Sequence, residues 1–235
     1  MDKILIRGGK PLKGCVHVRG AKNAALPLMA AAMMGSGTSR IRGVPVLRDV
    51  GTMAQILTEL GVRVERTADG TLEITPEDES PCTARYDLVS QMRASICVLG
   101  PLLGKRGRAV VSLPGGCVIG VRPIDLHLKG VRALGTQLSL RGGYVRATAK
   151  RLTGANVYLG GAFGSTALGT CNVMMAACLA RGRTVIEHAA CEPEVVDVAE
   201  FLAKMGARIE GAGTPRVVVH GVRRLRAAQH RVIPD

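Results

Sequence analysis

A single thiol sits where a reagent would be carried. Cys117 lies inside Leu113-Pro114-Gly115-Gly116-Cys117-Val118-Ile119-Gly120-Val121-Arg122-Pro123, with glycine on its near side, glycine three residues on and proline at both edges. Glycine lets the backbone bend and approach a ligand, and proline fixes φ near about −65°. Arg122, five residues on, is placed to favour the thiolate and lower the thiol pKa from its reference of about 8.5. Two readings stand side by side here: a reactive thiol on a bent loop, or a small apolar residue in a turn between strands. A second signal is basic side chains at helix starts. Lys22-Asn23 and Arg93 each stand just before a very apolar helix, and Ser165-Thr166 stands before a third. Free N–H groups and the helix dipole make such ends anion sites. Ordinary capping explains Thr166 easily but explains two basic residues there poorly.

Composition narrows the ligand. The 235 residues, 47% hydrophobic, suffice for one large domain or two small ones. No run approaches the roughly 20 apolar residues of a membrane span, so no membrane partner is expected. Met1-Asp2-Lys3-Ile4-Leu5-Ile6-Arg7 lacks the pattern of a signal peptide, and a cytoplasmic protein is expected. Seven cysteines include no CxxC pair and no zinc-finger spacing, which suits reduced thiols; Cys171 and Cys178 read as core residues. The formal charge of +14 attracts anions, but the basic residues are dispersed, aromatics are 2% and tryptophan is absent. Without a base-stacking platform, a multiply charged metabolite ranks above nucleic acid.

The elements that must hold these residues come in three tandem copies. Two short strands, Ile4–Arg7 and Gly14–Arg19, open the chain. A helix spans residues 20–34 with Pro27 in its first turn; strand Ser39–Ile41, helix Asp49–Leu60 and the hairpin 62–66/72–74 follow. The order returns as helix Arg93–Leu103 stopping at Gly104, strand Ala109–Leu113, helix Asp125–Leu134, and hairpin Gln137–Leu140/Tyr144–Ala147. It returns again as helix Gly169–Ala180, strand Thr184–Glu187 and helix Val195–Met205. Leu60-Gly61-Val62-Arg63-Val64-Glu65 and Met205-Gly206-Ala207-Arg208-Ile209-Glu210 match closely. Three α-β-α-β-β units of about 70 residues (21–76, 90–150, 164–220) imply one pseudo-threefold α/β (α+β) domain, with three sheets around buried helices.

Gly20-Ala21-Lys22-Asn23-Ala24-Ala25-Leu26-Pro27, Met92-Arg93-Ala94-Ser95, the Cys117 loop through His127, and Glu192-Pro193-Glu194-Val195-Val196-Asp197 resemble the signature segments of the UDP-N-acetylglucosamine enolpyruvyl transferase (1-carboxyvinyltransferase) family. The resemblance runs from Met1 to Asp235 in family order. It implies the inside-out α/β barrel of the enolpyruvyl transferases and a reaction of peptidoglycan synthesis. Phosphoenolpyruvate is protonated at its methylene carbon, the 3′-hydroxyl of the UDP-sugar attacks C2, and phosphate leaves, with no metal or organic cofactor. Cys117 would be the general acid and the target of fosfomycin. Lys22, Asn23 and Arg122 would hold phosphoenolpyruvate. Arg93, Arg122, Pro123, Ile124, Asp125 and Leu126, with Gly164, Ser165, Thr166 and Ala167, would hold UDP-N-acetylglucosamine. The sister family, 5-enolpyruvylshikimate-3-phosphate synthase, shares the fold but lacks the Pro-Gly-Gly-Cys loop.

Two departures qualify the match. Cys97 stands where many members carry an aromatic residue, and residues 160–170 differ in loop length. Family members also have a second domain built from the same repeat. By that pattern residues 1–20 would pack with the second domain, 21–230 would form the first, and 231–235 would begin the crossover. The chain would then hold about half of the site, and an inactive UDP-sugar-binding fragment is the alternative expectation.

Overall fold

The computed structural model describes residues 3–115 and 123–235; Cys117 and Arg122 lie outside them. Helix α1 (Lys22–Ala32) leads to strands β1 (Gly35–Ser36) and β2 (Ser39–Arg42), helix α2 (Arg48–Glu59), and strands β3 (Val62–Arg66) and β4 (Leu72–Pro76). Next come β5 (Thr83–Ala84), the short helix α3 (Tyr86–Val89), and a 3-10 segment, Arg93–Val98, running straight into α4 (Leu99–Arg106). Strand β6 (Arg108–Ser112), helix α5 (Asp125–Ala133) and the hairpin β7 (Gln137–Arg141)/β8 (Tyr144–Thr148) complete the second unit. The third holds β9 (Asn156–Tyr158), α6 (Ala167–Cys178), β10 (Arg183–Glu187), α7 (Pro193–Lys204), β11 (Arg208–Glu210) and β12 (Arg216–His220). Strands β13 (Leu225–Arg226) and β14 (Gln229–Arg231) follow.

The three apolar segments form the interior. Residues 24–32 of α1, 95–103 of the 3-10/α4 rod and 169–178 of α6 are all buried, and the three pack on one another. A helix apolar all round has no face to offer water, so it goes inside. The amphipathic helices α2, α5 and α7 each end at a glycine with positive φ, Gly61, Gly135 and Gly206, where a side chain would be strained.

Three four-stranded sheets surround this core with one order: β14-β2-β4-β3, β5-β6-β8-β7 and β9-β10-β12-β11. In each, a hairpin runs antiparallel and the first strand lies parallel to its neighbour. The parallel strands β5 and β9 precede their units. The first unit receives β14 from the far end of the chain instead, which closes the ring.

Several expectations need correction. Residues 3–19 carry no strand, and Ile4, Leu5, Ile6, Leu12 and Val16 are exposed. An isolated strand pair lacks the burial that would hold it in water. The second apolar helix begins as 3-10 and does not stop at Gly104; it continues to Arg106 and ends at Gly107, φ 67°. Pro27 falls beyond the first turn of α1, at its sixth residue, so the Asn23 carbonyl loses an intrahelical donor, at an exposed position where water can replace it.

Candidate functional site

A cleft of about 490 Å³ opens where three helical segments start. Arg93 comes from the start of the 3-10 segment, and Pro123, Asp125, Leu126 and His127 from the start of α5. Residues 161–164 form a turn, and Ser165–Leu168 lead into α6. Helix starts carry N–H groups without intrahelical partners and the positive end of the dipole. With the Arg93 guanidinium they favour an anionic ligand; among the described residues Asp125 is the one acidic side chain in the wall.

Of the residues expected to hold the nucleotide sugar, Arg93, Pro123, Asp125, Leu126, Gly164, Ser165, Thr166 and Ala167 line this cleft together. Ile124 is half-buried against the core instead. Lys22 and Asn23 are not in the wall. Lys22 opens α1 and its Nζ donates to Asp49 Oδ2 at 2.9 Å, with 42% of the side chain exposed. Of the three apolar-helix starts read as anion sites, those at Arg93 and Thr166 meet here, and the start of α5 joins them.

Local contacts fix this wall. Arg93 Nη2 donates to the Pro123 carbonyl at 3.1 Å, which ties the downstream edge of the Cys117 loop to the 3-10 segment. Thr166 Oγ1 accepts from the Gly169 N–H at 3.1 Å and so caps α6 as well as lining the cleft. Gly161 and Gly164 exchange both backbone hydrogen bonds at 3.0 Å, a tight turn that needs the φ of +84° at Gly164. Phe163 stands at its tip, 79% exposed on the rim.

Beneath the wall lies a polar group that the sequence reading left unassigned. Asn172, in the middle of apolar α6, and His127, on α5, are 0% and 1% exposed. Asn172 Oδ1 accepts from the Gly100 N–H at 2.7 Å. Its Nδ2 donates to the Ile96 carbonyl at 2.9 Å and to His127 Nδ1 at 2.8 Å. Burial pushes the His127 pKa down to about 3, and the nearby Arg93 charge acts in the same direction. The signal for Asn172 was an amide inside a run of Cys, Val, Met and Ala, since a buried polar group must find partners.

The three buried thiols, Cys97, Cys171 and Cys178, do not compete with Cys117 as candidates. Cys97 and Cys178 are pushed up to about 12 by burial, and Cys171 is also raised well above the ordinary thiol value. The expectation that Cys171 and Cys178 are core residues holds.

Known proteins carry the same pattern. The whole chain is 52% identical over 243 residues to the UDP-N-acetylglucosamine 1-carboxyvinyltransferase of Myxococcus xanthus (strain DK1622), covering 56% of that protein. It is 50% and 49% identical to the proteins of the same name from Geobacter metallireducens and Akkermansia muciniphila, covering 55% of each. The chain thus spans about half the length of these curated relatives. Among solved structures, the enolpyruvyl transferase NikO from Streptomyces tendae superposes with a TM-score of 0.81 at 24% identity, over 97% of this chain and 53% of that one. EPSP synthase from Acinetobacter baumannii gives 0.75 at 19%, over 97% and 51%. Those likenesses establish the inside-out α/β fold of the enolpyruvyl transferases. The sequence family described as EPSP synthase (3-phosphoshikimate 1-carboxyvinyltransferase) matches residues 6–235. The chain therefore belongs to the EPSP synthase family, and within it resembles the UDP-N-acetylglucosamine 1-carboxyvinyltransferases along its whole length.

Proposed function

We propose that this chain supplies the nucleotide-sugar side and the acid-bearing loop of a UDP-N-acetylglucosamine 1-carboxyvinyltransferase, which moves the enolpyruvyl group of phosphoenolpyruvate to the sugar 3′-hydroxyl and releases phosphate. The supporting observation is that eight of the residues carried over from the family pattern line one cleft, in a chain about half identical to proteins of that name. The diphosphate sits against Arg93 and the helix starts, where N–H groups and dipoles stabilise negative charge without reorganising. Cys117 delivers the proton to the methylene carbon. Six residues of chain keep it within about 20 Å of Pro123, in the cleft wall. Lys22 and Asn23 hold phosphoenolpyruvate, the ammonium exchanging its Asp49 contact for phosphate, and Arg122 adds positive charge.

Residues 1–20 belong, in this reading, with a second domain of the same repeat that brings the remaining half of the site, and 231–235 begin the crossover to it. Its support is geometric: the Ala21 N–H donates to the Ile233 carbonyl at 2.8 Å and the Asp235 N–H to the Arg19 carbonyl at 3.0 Å. The incoming and outgoing segments are therefore side by side at Arg19–Ala21, and the exposed apolar side chains 4–6, 12, 16 and 18 lie on the incoming one. The protein acts in the cytoplasm on the route to peptidoglycan.

Two measurements test this. Phosphate release with both substrates should be slow or absent from residues 1–235 alone; release at the rate of a two-domain relative would sink the half-site reading. Mass spectrometry of fosfomycin-treated protein joined to its second domain should find the adduct on Cys117 and on none of the other six thiols. Labelling elsewhere contradicts the assignment of the acid.

A further inference from the structure

The Asn172 amide cannot turn over. Its oxygen faces the Gly100 N–H, which only donates, and its nitrogen faces the Ile96 carbonyl, which only accepts. A flipped amide would set donor against donor and acceptor against acceptor inside the core, at two points. With the amide fixed, Nδ2 also donates to His127 Nδ1, which must therefore be an unprotonated acceptor. The single proton of the neutral ring is then on Nε2. Nδ1 is engaged by α6, so Nε2 is the ring nitrogen left for the cleft whose wall His127 helps to form.

We infer that Asn172 is a positioning residue that holds His127 as the neutral Nε2–H tautomer, and that this N–H donates to an acceptor oxygen of the nucleotide sugar. The second half rests on the proposed function; the first half does not.

Other groups around the ring agree. Arg93, from the 3-10 segment, disfavours a second positive charge, and an imidazolium Nδ1–H would point at the Asn172 N–H. Among the described residues Asp125, on the same helix as His127, is the acidic residue in the wall, and residues 161–168 add no charged side chain to it. The ring thus offers a donor whose character does not change across the ordinary range of pH, unlike a solvent-exposed histidine.

The test is nitrogen NMR of the 235-residue chain labelled at its five histidines. His127 should show Nδ1 as pyridine-type and Nε2 as pyrrole-type, unchanged from pH 8 to pH 5. The opposite pattern, or titration with an ordinary midpoint, overturns the assignment. In Asn172→Asp a carboxylate accepts where the amide donated, so Nδ1 should gain the proton and the midpoint should rise; a pattern identical to the parent also overturns it. For the ligand half, UDP-N-acetylglucosamine should shift Nε2. His127→Leu should weaken its binding by about tenfold or more, whereas His127→Gln, which keeps an N–H near that place, should lose less. Equal affinity in parent and His127→Leu removes the donor role while leaving the tautomer standing. Absence of any binding to the parent at millimolar ligand would instead strike the proposed function and the ligand half with it.

Discussion

Gly100→Ala tests the join between core and cleft. A Cβ at Gly100 of α4 would run into the backbone carbonyl oxygen of Asn172 in α6 and lie 2.9 Å from its Oδ1. Both helices are buried on every side at this level, so neither can step back cheaply. Overpacking costs about 1–3 kcal/mol, and disturbing the buried Gly100–Asn172 hydrogen bond about 1–3 more. Removing a helical glycine returns about 1. The net loss is roughly 1–5 kcal/mol, which for a domain of this size lowers Tm by about 2–20 °C.

Gly104→Ala, one turn on in the same helix, is the control. Its added Cβ would meet Ala176 and Met34 at 3.5 Å, ordinary contact distance, so the propensity gain should stand and stability should be equal or up to about 1 kcal/mol higher. Urea denaturation of both variants reads the difference directly. If Gly100→Ala is as stable as the parent, or the two alanines cost the same, the close α4–α6 approach that seats Asn172 is wrong. The inference about His127 then loses its foundation.

Asp197→Ala should cost about 3–5 kcal/mol in urea denaturation, because Asp197 and His230 are both nearly fully buried and joined at 2.7 Å, with Lys204 Nζ on the far ring nitrogen at 2.8 Å; a loss below 1 would show the pair is not desolvated. Thr166→Ala should cost about 1 kcal/mol through the lost α6 cap, and no change would show that the cap is not formed. Asp49→Asn should change stability by less than about 1 kcal/mol, since the Lys22–Asp49 pair is over 30% exposed on both sides; a larger loss refutes the view that Lys22 can leave it for a ligand. Between about pH 6.5 and 3 the unfolded chain protonates His127 and the folded one does not. Its contribution is fully present above about 6.5 and drains as pH falls, on the order of 1 kcal/mol per unit, so His127→Gln should flatten the parent's acid-side slope in denaturation melts.

The interior was legible because three runs without charge leave no amphipathic choice, and because glycine stops such as Gly61 and Gly206 mark equivalent helix ends. The cleft was legible for the same reason: repeated helix starts carry Arg93 and Thr166 to equivalent places. What escaped was set by pairing across the chain. Strands β5, β9 and β14 are two or three residues long, too short for any periodicity, and β14 completes a sheet whose other strands lie more than 150 residues earlier. Gly104 read as a stop because glycine usually is one; here Ala176 of α6 packs beside it and the helix runs on to Gly107. Asn172 went unassigned in the sequence because its partners Gly100, Ile96 and His127 lie 45 to 76 residues away.

The inside-out arrangement explains why a chain with so apolar a centre has its site where it does. Helices at the middle of a domain have their flanks covered by neighbours, so only their ends can meet a ligand. The starts are the ends that attract anions. At those starts small residues let the backbone turn tightly and come close to the cleft, which suits the glycine, serine and threonine at 161 and 164–166. The cost is that nothing within the helix sides can reach the cleft, except through a buried polar bridge. Asn172 is such a bridge: it ties the 3-10/α4 rod to α6 through backbone groups and passes that fixed geometry to His127 in the wall. The same amide thus sets the spacing of two core helices and the hydrogen-bonding character of one position in the site, so an apolar replacement of similar size should disturb both together.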